Sequence, residues 1–151
     1  MLRIAMRLAL VVGLALLGTM QFFRPTRNNP SSDPSASFDA IVKPPGAVAA
    51  SVQRSCYDCH SNRTKWPWYS NVSPISWVIA QDVTRGRAHL NFSEWDRYGD
   101  EMSRARLKEM CDQVRAGKMP LWYFQPFHPD ARLGSADVKV LCGFARGGAA
   151  E

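Results

Sequence analysis

Acidic residues are missing from the start of this chain: in 151 residues none precedes Asp33. Two further absences narrow the fold and the chemistry. No stretch alternates apolar and polar residues over strand length, which excludes a sheet-based fold. No nucleophile–base pair, paired-carboxylate site or phosphate-cradling loop is present, so no substrate chemistry is implied. The formal charge of +6 does not mark a nucleic-acid binder. Of 19 basic residues, Arg3, Arg7, Arg24 and Arg27 precede the first acid; the other 15 stand against 13 acids, leaving +2. Those 15 are scattered and form no basic helix or arm, so no nucleic acid is expected as a partner.

What fills the acid-free start is an apolar run from Leu8 to Met20, extended by Phe22 and Phe23 and stopped by Arg24 and Pro25. A helix from Leu8 to Phe23 would be roughly 24 Å long. That is short for a hydrocarbon core of about 30 Å, but flanking Arg side chains snorkel and the bilayer thins. The run ends in Thr19-Met20-Gln21-Phe22-Phe23, with no small-residue cleavage pattern and no Cys for a lipid. An uncleaved membrane anchor over residues 1–23 is therefore expected rather than a removed leader. Residues 24–45, rich in Pro, Ser, Asn and Asp, are expected to form an extended, poorly packed linker. One small domain, residues 46–151, remains.

Helical periods dominate that domain. Ala47 to Arg54 leads as a first helix into Cys56. Pro74 opens a second, capped by Ser73, with Ile75, Val78, Ile79, Val83 and Leu90 at helical spacing. Leu107, Met110, Cys111 and Val114 stripe a third, Glu101 to Ala116, closed by Gly117. Ser135 caps a fourth, with Val138, Leu141, Cys142 and Ala145 facing in and Gly147-Gly148 ending it. The expectation is an all-α domain of about four helices with long aromatic and Pro-rich loops.

Cysteine is sparse, with four in the chain, yet two of them sit in Cys56-Tyr57-Asp58-Cys59-His60. C-x-x-C-H is the pattern for covalent haem c attachment. Two thiols on one turn add to the two vinyl groups of a single haem, and the following imidazole becomes the proximal iron ligand. Two other readings use the same residues. A zinc half-site needs two more ligands, from Cys111, Cys142, His89 and His128, but no second C-x-x-C exists. A thioredoxin-type dithiol needs a βαβ setting that is absent.

A haem held by His60 has one axial position left. Met119 is the first candidate: it follows a helix and Gly117 and precedes Pro120, whose fixed φ helps hold such a loop open. A thioether ligand raises the reduction potential. The competing view of Met119 is adaptable core filler among Leu121, Trp122 and Phe124. His128, flanked by Pro126 and Pro129, is the rival ligand, and His89 is a weaker one at the end of the second helix. Trp66, Trp68 and Tyr69 are candidates to wall the haem. Arg63, Lys65, Arg85 and Arg87 are candidates to pair with its propionates. Cys111 and Cys142 are left over, either bonded to each other or two buried thiols.

Several motifs recur in order: C-Y-D-C-H-S-N (56–62), W-P-W-Y-S (66–70), P-I-S-W (74–77), G-R with L-N-F-S-E-W (86–95), M-P (119–120) and H-P-D-A-R-L (128–133). Together they resemble the small bacterial haem-binding domain proteins, c-type-cytochrome-like chains often carrying an N-terminal membrane segment. The resemblance covers about Val48 to Cys142. It implies a small cytochrome-c-like helical fold and a haem c joined to Cys56 and Cys59. It also implies a place in the bacterial inner membrane, with the haem domain in the periplasm or outside the cell. The expected function is single-electron transfer with an unidentified redox partner protein. The alternatives are a haem sensor or peroxidase-like enzyme with an open sixth site, and a zinc-stabilised interaction module.

Overall fold

The computed structural model describes residues 1–147, and among them there are seven α-helices and no strand. Helix α1, Leu2–Met20, lies outside the body with none of its residues buried. Its 19 residues reach about 28 Å at the α-helical rise. That is longer than the apolar run alone suggests, because the turn carrying Arg3 and Arg7 is also helical. Among the described residues it is the one helix long and apolar enough to cross a membrane.

The expected linker differs from its composition. It carries a 3-10 turn at Pro34–Ala36 and a short helix α2, Phe38–Ile41. Phe38 is fully buried, with its ring 4.7 Å from Trp95 and 5.3 Å from Phe92. Its backbone N–H donates to the Phe92 carbonyl at 2.8 Å. One aromatic residue in a polar stretch is enough to fasten it, since a buried Phe contributes about 1.5–3 kcal/mol. Upstream, Arg87 donates to the Asn28 carbonyl and the Asn29 side chain, holding the segment along the body.

The four long body helices are α3 (Gly46–Ser55), α5 (Ile75–His89), α6 (Asp100–Arg115) and α7 (Ser135–Ala145), with a single turn α4 (Tyr57–His60) after α3. Two expected caps are not used. Ile75 opens α5 behind Pro74 without a side-chain cap, while Ser73 pairs with Ser76. Helix α7 begins behind Gly134, whose N–H donates to Asp137. Gly147 follows α7 with φ +80°, and Gly148 lies outside the described residues.

Helix α6 stops in a Schellman turn. The Gly117 N–H donates to the Val114 carbonyl and the Lys118 N–H to that of Gln113, with Gly117 at φ +65°. This reversal delivers Met119 back beside α6. Helices α6 and α7 pack together and are joined by a Cys111–Cys142 disulfide. Helix α7 also packs on α3, where Arg54 pairs with Asp137 at 2.6 Å.

The bond between Cys111 and Cys142 closes a 31-residue loop that includes the Met119 segment. In the chain-entropy view such a closure stabilises by roughly 3 kcal/mol. Replacing both cysteines by serine is expected to lower the unfolding free energy by about that amount, read from urea unfolding followed by circular dichroism.

Candidate functional site

Helix α3 ends where Cys56 leaves helical geometry, at φ −123°. The chain then takes one turn, in which the Cys59 and His60 N–H groups both return to the Cys56 carbonyl. Cys56, Cys59 and His60 thereby share one face. The two residues between the cysteines fix this turn in the body. Tyr57 is buried, stacks on Phe92 at 5.4 Å and donates to Asp39 at 2.7 Å. Asp58 accepts from Thr64 through its carbonyl and from the Lys65 N–H through its side chain.

Downstream, His60 and Asn62 are bonded to the 91–94 segment. The Asn62 N–H donates to Ser93, its side chain donates to Glu94, and the Asn91 side chain donates to Asn62. The Phe92 N–H donates to the His60 carbonyl. These buried polar groups satisfy one another, as a low-dielectric setting requires. The order of the C-H-S-N and L-N-F-S-E-W motifs along the chain is therefore the order of two halves of one network.

Helix α5 supplies the other wall. The Leu90 carbonyl lies 3.1 Å from His60 Nδ1. A carbonyl only accepts, so Nδ1 carries the proton and Nε2 keeps a free lone pair. Burial holds the imidazole below its ordinary pKa, against the contrary pull of the Leu90 and Gly86 carbonyls. A neutral imidazole with one nitrogen fixed by a backbone carbonyl is the usual state of a metal-binding histidine. Gly86 faces the Cys59 backbone so closely that an added Cβ would stand 2.6 Å from the Cys59 carbonyl oxygen.

Two cavities meet at this turn. One of about 330 Å³ contains Cys56, Leu90, Phe92, Met110 and Val114 in its wall. The other, about 380 Å³, contains Cys59, Pro120, Leu121 and Phe124. Ser55, His60, His89 and Met119 line both. Both thiols are free and half-buried. Desolvation pushes each up to about 12, with repulsion from the other thiol adding to Cys56 and repulsion from Asp82 and Asp58 adding to Cys59. Redox-active C-x-x-C motifs have lowered thiol pKa values, so this environment opposes the dithiol reading. The zinc reading also loses its ligands. Cys111 and Cys142 are bonded to each other, and among the described residues no three His, Cys, Asp or Glu side chains cluster as a metal site.

Met119 reaches the cavities and also packs on Cys111, Val114 and Cys142. His128 is engaged elsewhere, with its ring stacked on Phe124 at 3.9 Å and its Nε2 2.5 Å from the Tyr69 hydroxyl. It lines neither cavity that holds His60. His89 is exposed and pairs with Glu109 at 2.8 Å. Trp68 and Tyr69 border a third, apolar cavity of about 350 Å³ that reaches Cys59, while Trp66 lines none of the three.

Among the cations, Arg87 is consumed by Ser61, Thr64, Asn28 and Asn29. Arg85 lines the cavity on the Cys59 side. Arg106, not singled out from the sequence, lines the one on the Cys56 side and keeps a buried Nε–H without a partner. The sequence carried no signal for Arg106 beyond its charge, because only the tertiary fold brings α6 to the wall of the cavity that also holds Cys56 and His60.

A family model described as haem-binding domain matches residues 15–147. The chain belongs to this haem-binding domain family. No curated protein and no solved structure matches it. The family match starts inside α1 and includes the 24–45 segment, in keeping with the burial of Phe38.

The residues present fit a haem. Paired thiols border apolar space, a neutral imidazole has a free nitrogen, and an orphaned guanidinium N–H lies in the wall. Gly86→Ala is expected to push the Cys59 carbonyl away and lower stability by about 1–3 kcal/mol. Haem recovered per chain should fall with it, measured as pyridine haemochrome absorbance against protein mass. Unchanged haem loading would show that the α4–α5 approach does not position the motif.

Proposed function

We propose that this protein carries one haem c covalently, through thioether bonds from Cys56 and Cys59, and moves single electrons at the outer face of a bacterial inner membrane. The observation that carries this reading is the His60–Leu90 hydrogen bond beside two free thiols. It fixes a tautomer that leaves Nε2 for iron, on a residue lining both cavities.

Haem, when bound, supplies an iron that gains and loses one electron. The chain's own residues do the rest. Nε2 of His60 binds the iron, and the Leu90 carbonyl orients the ring and raises its basicity. Met119, which lines both cavities with His60, would supply a soft thioether to the iron, a ligand that favours the ferrous state. Leu90, Phe92, Met110 and Val114 exclude water and keep the local dielectric low. Arg106 and Arg85 pair with propionates, and the free Nε–H of Arg106 gives that pairing a waiting donor. A cystine between α6 and α7 suits an oxidising compartment, and α1 suits an anchor that leaves the body outside the cytoplasm.

The pyridine haemochrome and visible spectra of protein recovered from the membrane fraction test this reading. Cys56→Ala with Cys59→Ala should abolish covalent haem almost completely, seen as loss of the haem mass. Met119→Ala should keep the covalent haem but give a high-spin spectrum and a lower potential. His128→Ala should leave both unchanged. A native ferrous protein that is high-spin and binds carbon monoxide readily would instead identify an open sixth site, as in a sensor or peroxidase-like protein. Colourless material with the mass of the bare polypeptide would remove the haem reading altogether.

A further inference from the structure

We infer that the body of this protein lies against the lipid surface through an aromatic face built from residues 66–78 and 121–127. This inference rests on the membrane anchor proposed above. Trp66 to Gln81 holds no charged residue, and neither does Met119 to Pro129. Within them Trp68, Ile75, Val78, Trp122 and Phe127 are exposed, Trp68 and Trp122 by 75% and 77%. Trp95, in contrast, is only 1% exposed.

The two stretches form one surface. Trp68, Ile75, Val78, Tyr123 and Phe127 border the same apolar cavity, and the Tyr69 and Phe127 rings are 5.2 Å apart. The occupant is indicated by where the anchor ends. Gln21, one residue beyond α1, bonds both the N–H and the carbonyl of Ser73 at 3.0 Å. The Trp77 indole donates to the Phe23 carbonyl at 2.6 Å, and Arg27 donates to Ser70. Residues 70–77 of the aromatic face are thus held at the point where α1 ends.

Trp and Tyr concentrate at the headgroup level, where an apolar ring with one polar atom is best solvated. Lys65 and Lys118 precede the two uncharged stretches, Asp82 and Asp130 follow them, and Arg24 and Arg27 stand just beyond α1; these four cations suit anionic headgroups. A face fixed to the end of a membrane helix, uncharged along both of its stretches and with Arg24 and Arg27 next to that helix end, matches a bilayer surface.

The test uses the full haem-loaded chain in lipid nanodiscs containing a phospholipid with a photoreactive group near the glycerol. After illumination, adducts are mapped by peptide mass spectrometry. Label on α1 and on both the 66–78 and 121–127 peptides is expected. In Trp122→Ser with Phe127→Ser, label on 121–127 should fall several-fold while label on α1 and haem absorbance stay unchanged. Label confined to α1 would overturn the inference and leave the anchor standing. No label on α1 or on the face would remove both. Two chains per disc with the face unlabelled would assign it to a second copy and also overturn the inference.

Discussion

The hold of α5 on the single turn α4 is the constraint on which the rest of the molecule depends. That turn is too short to be stable alone. It persists because Tyr57 is buried below it, because Gly86 lets α5 approach the Cys59 backbone, and because the Leu90 carbonyl accepts a hydrogen bond from His60 Nδ1. Each contact constrains a different freedom: the depth of the turn, its distance from α5, and the tautomer of the ring. A side chain at position 86 would separate the two backbones and loosen the histidine with them.

Around this joint the body encloses apolar space within a small domain. A domain of this size buries a limited core, and unfilled apolar cavities forfeit dispersion contacts. Three features offset that weakness. The Phe38, Phe92 and Trp95 cluster draws the 24–45 segment into the core. A buried network of Asn and Ser side chains fixes the loops on either side of α5. The Cys111–Cys142 bond ties the helices that carry the Met119 loop. An apolar cofactor filling the cavities would complete the same core, so haem binding and stability are coupled.

One helix connects the two ends of this protein's work. The residues just before and at the start of α5, Ser73 and Trp77, receive the end of α1. The last turn of α5 and the residue after it, Gly86 and Leu90, hold the Cys56–His60 turn. Trp77 and Leu90 are about 20 Å apart along a helical path. A short rigid rod thus sets the distance of the site from the end of α1, where an unstructured linker would leave it to wander. The 24–45 segment, packed through Phe38 and clamped by Arg87, adds to this rigidity.

The sequence by itself determined the helical class, the apolar N-terminal helix and the positions of the long body helices to within a residue or two. Those features depend on local periodicity and on breakers such as Gly117 and Pro74. It also placed Cys56, Cys59 and His60 on one turn, because their spacing allows little else. Tertiary structure alone decided the rest. Burial of Phe38 overrode a linker composition, since one long-range aromatic contact outweighs many local polar preferences. Arg87 was taken up by two backbone carbonyls and two side-chain oxygens while Arg106 came to the cavity, and nothing local distinguishes one arginine from another. Met119 and His128 both stand in Pro-flanked loops. Only the Schellman turn after α6 and the Tyr69–Phe124 pocket sent one to the cavities and the other away.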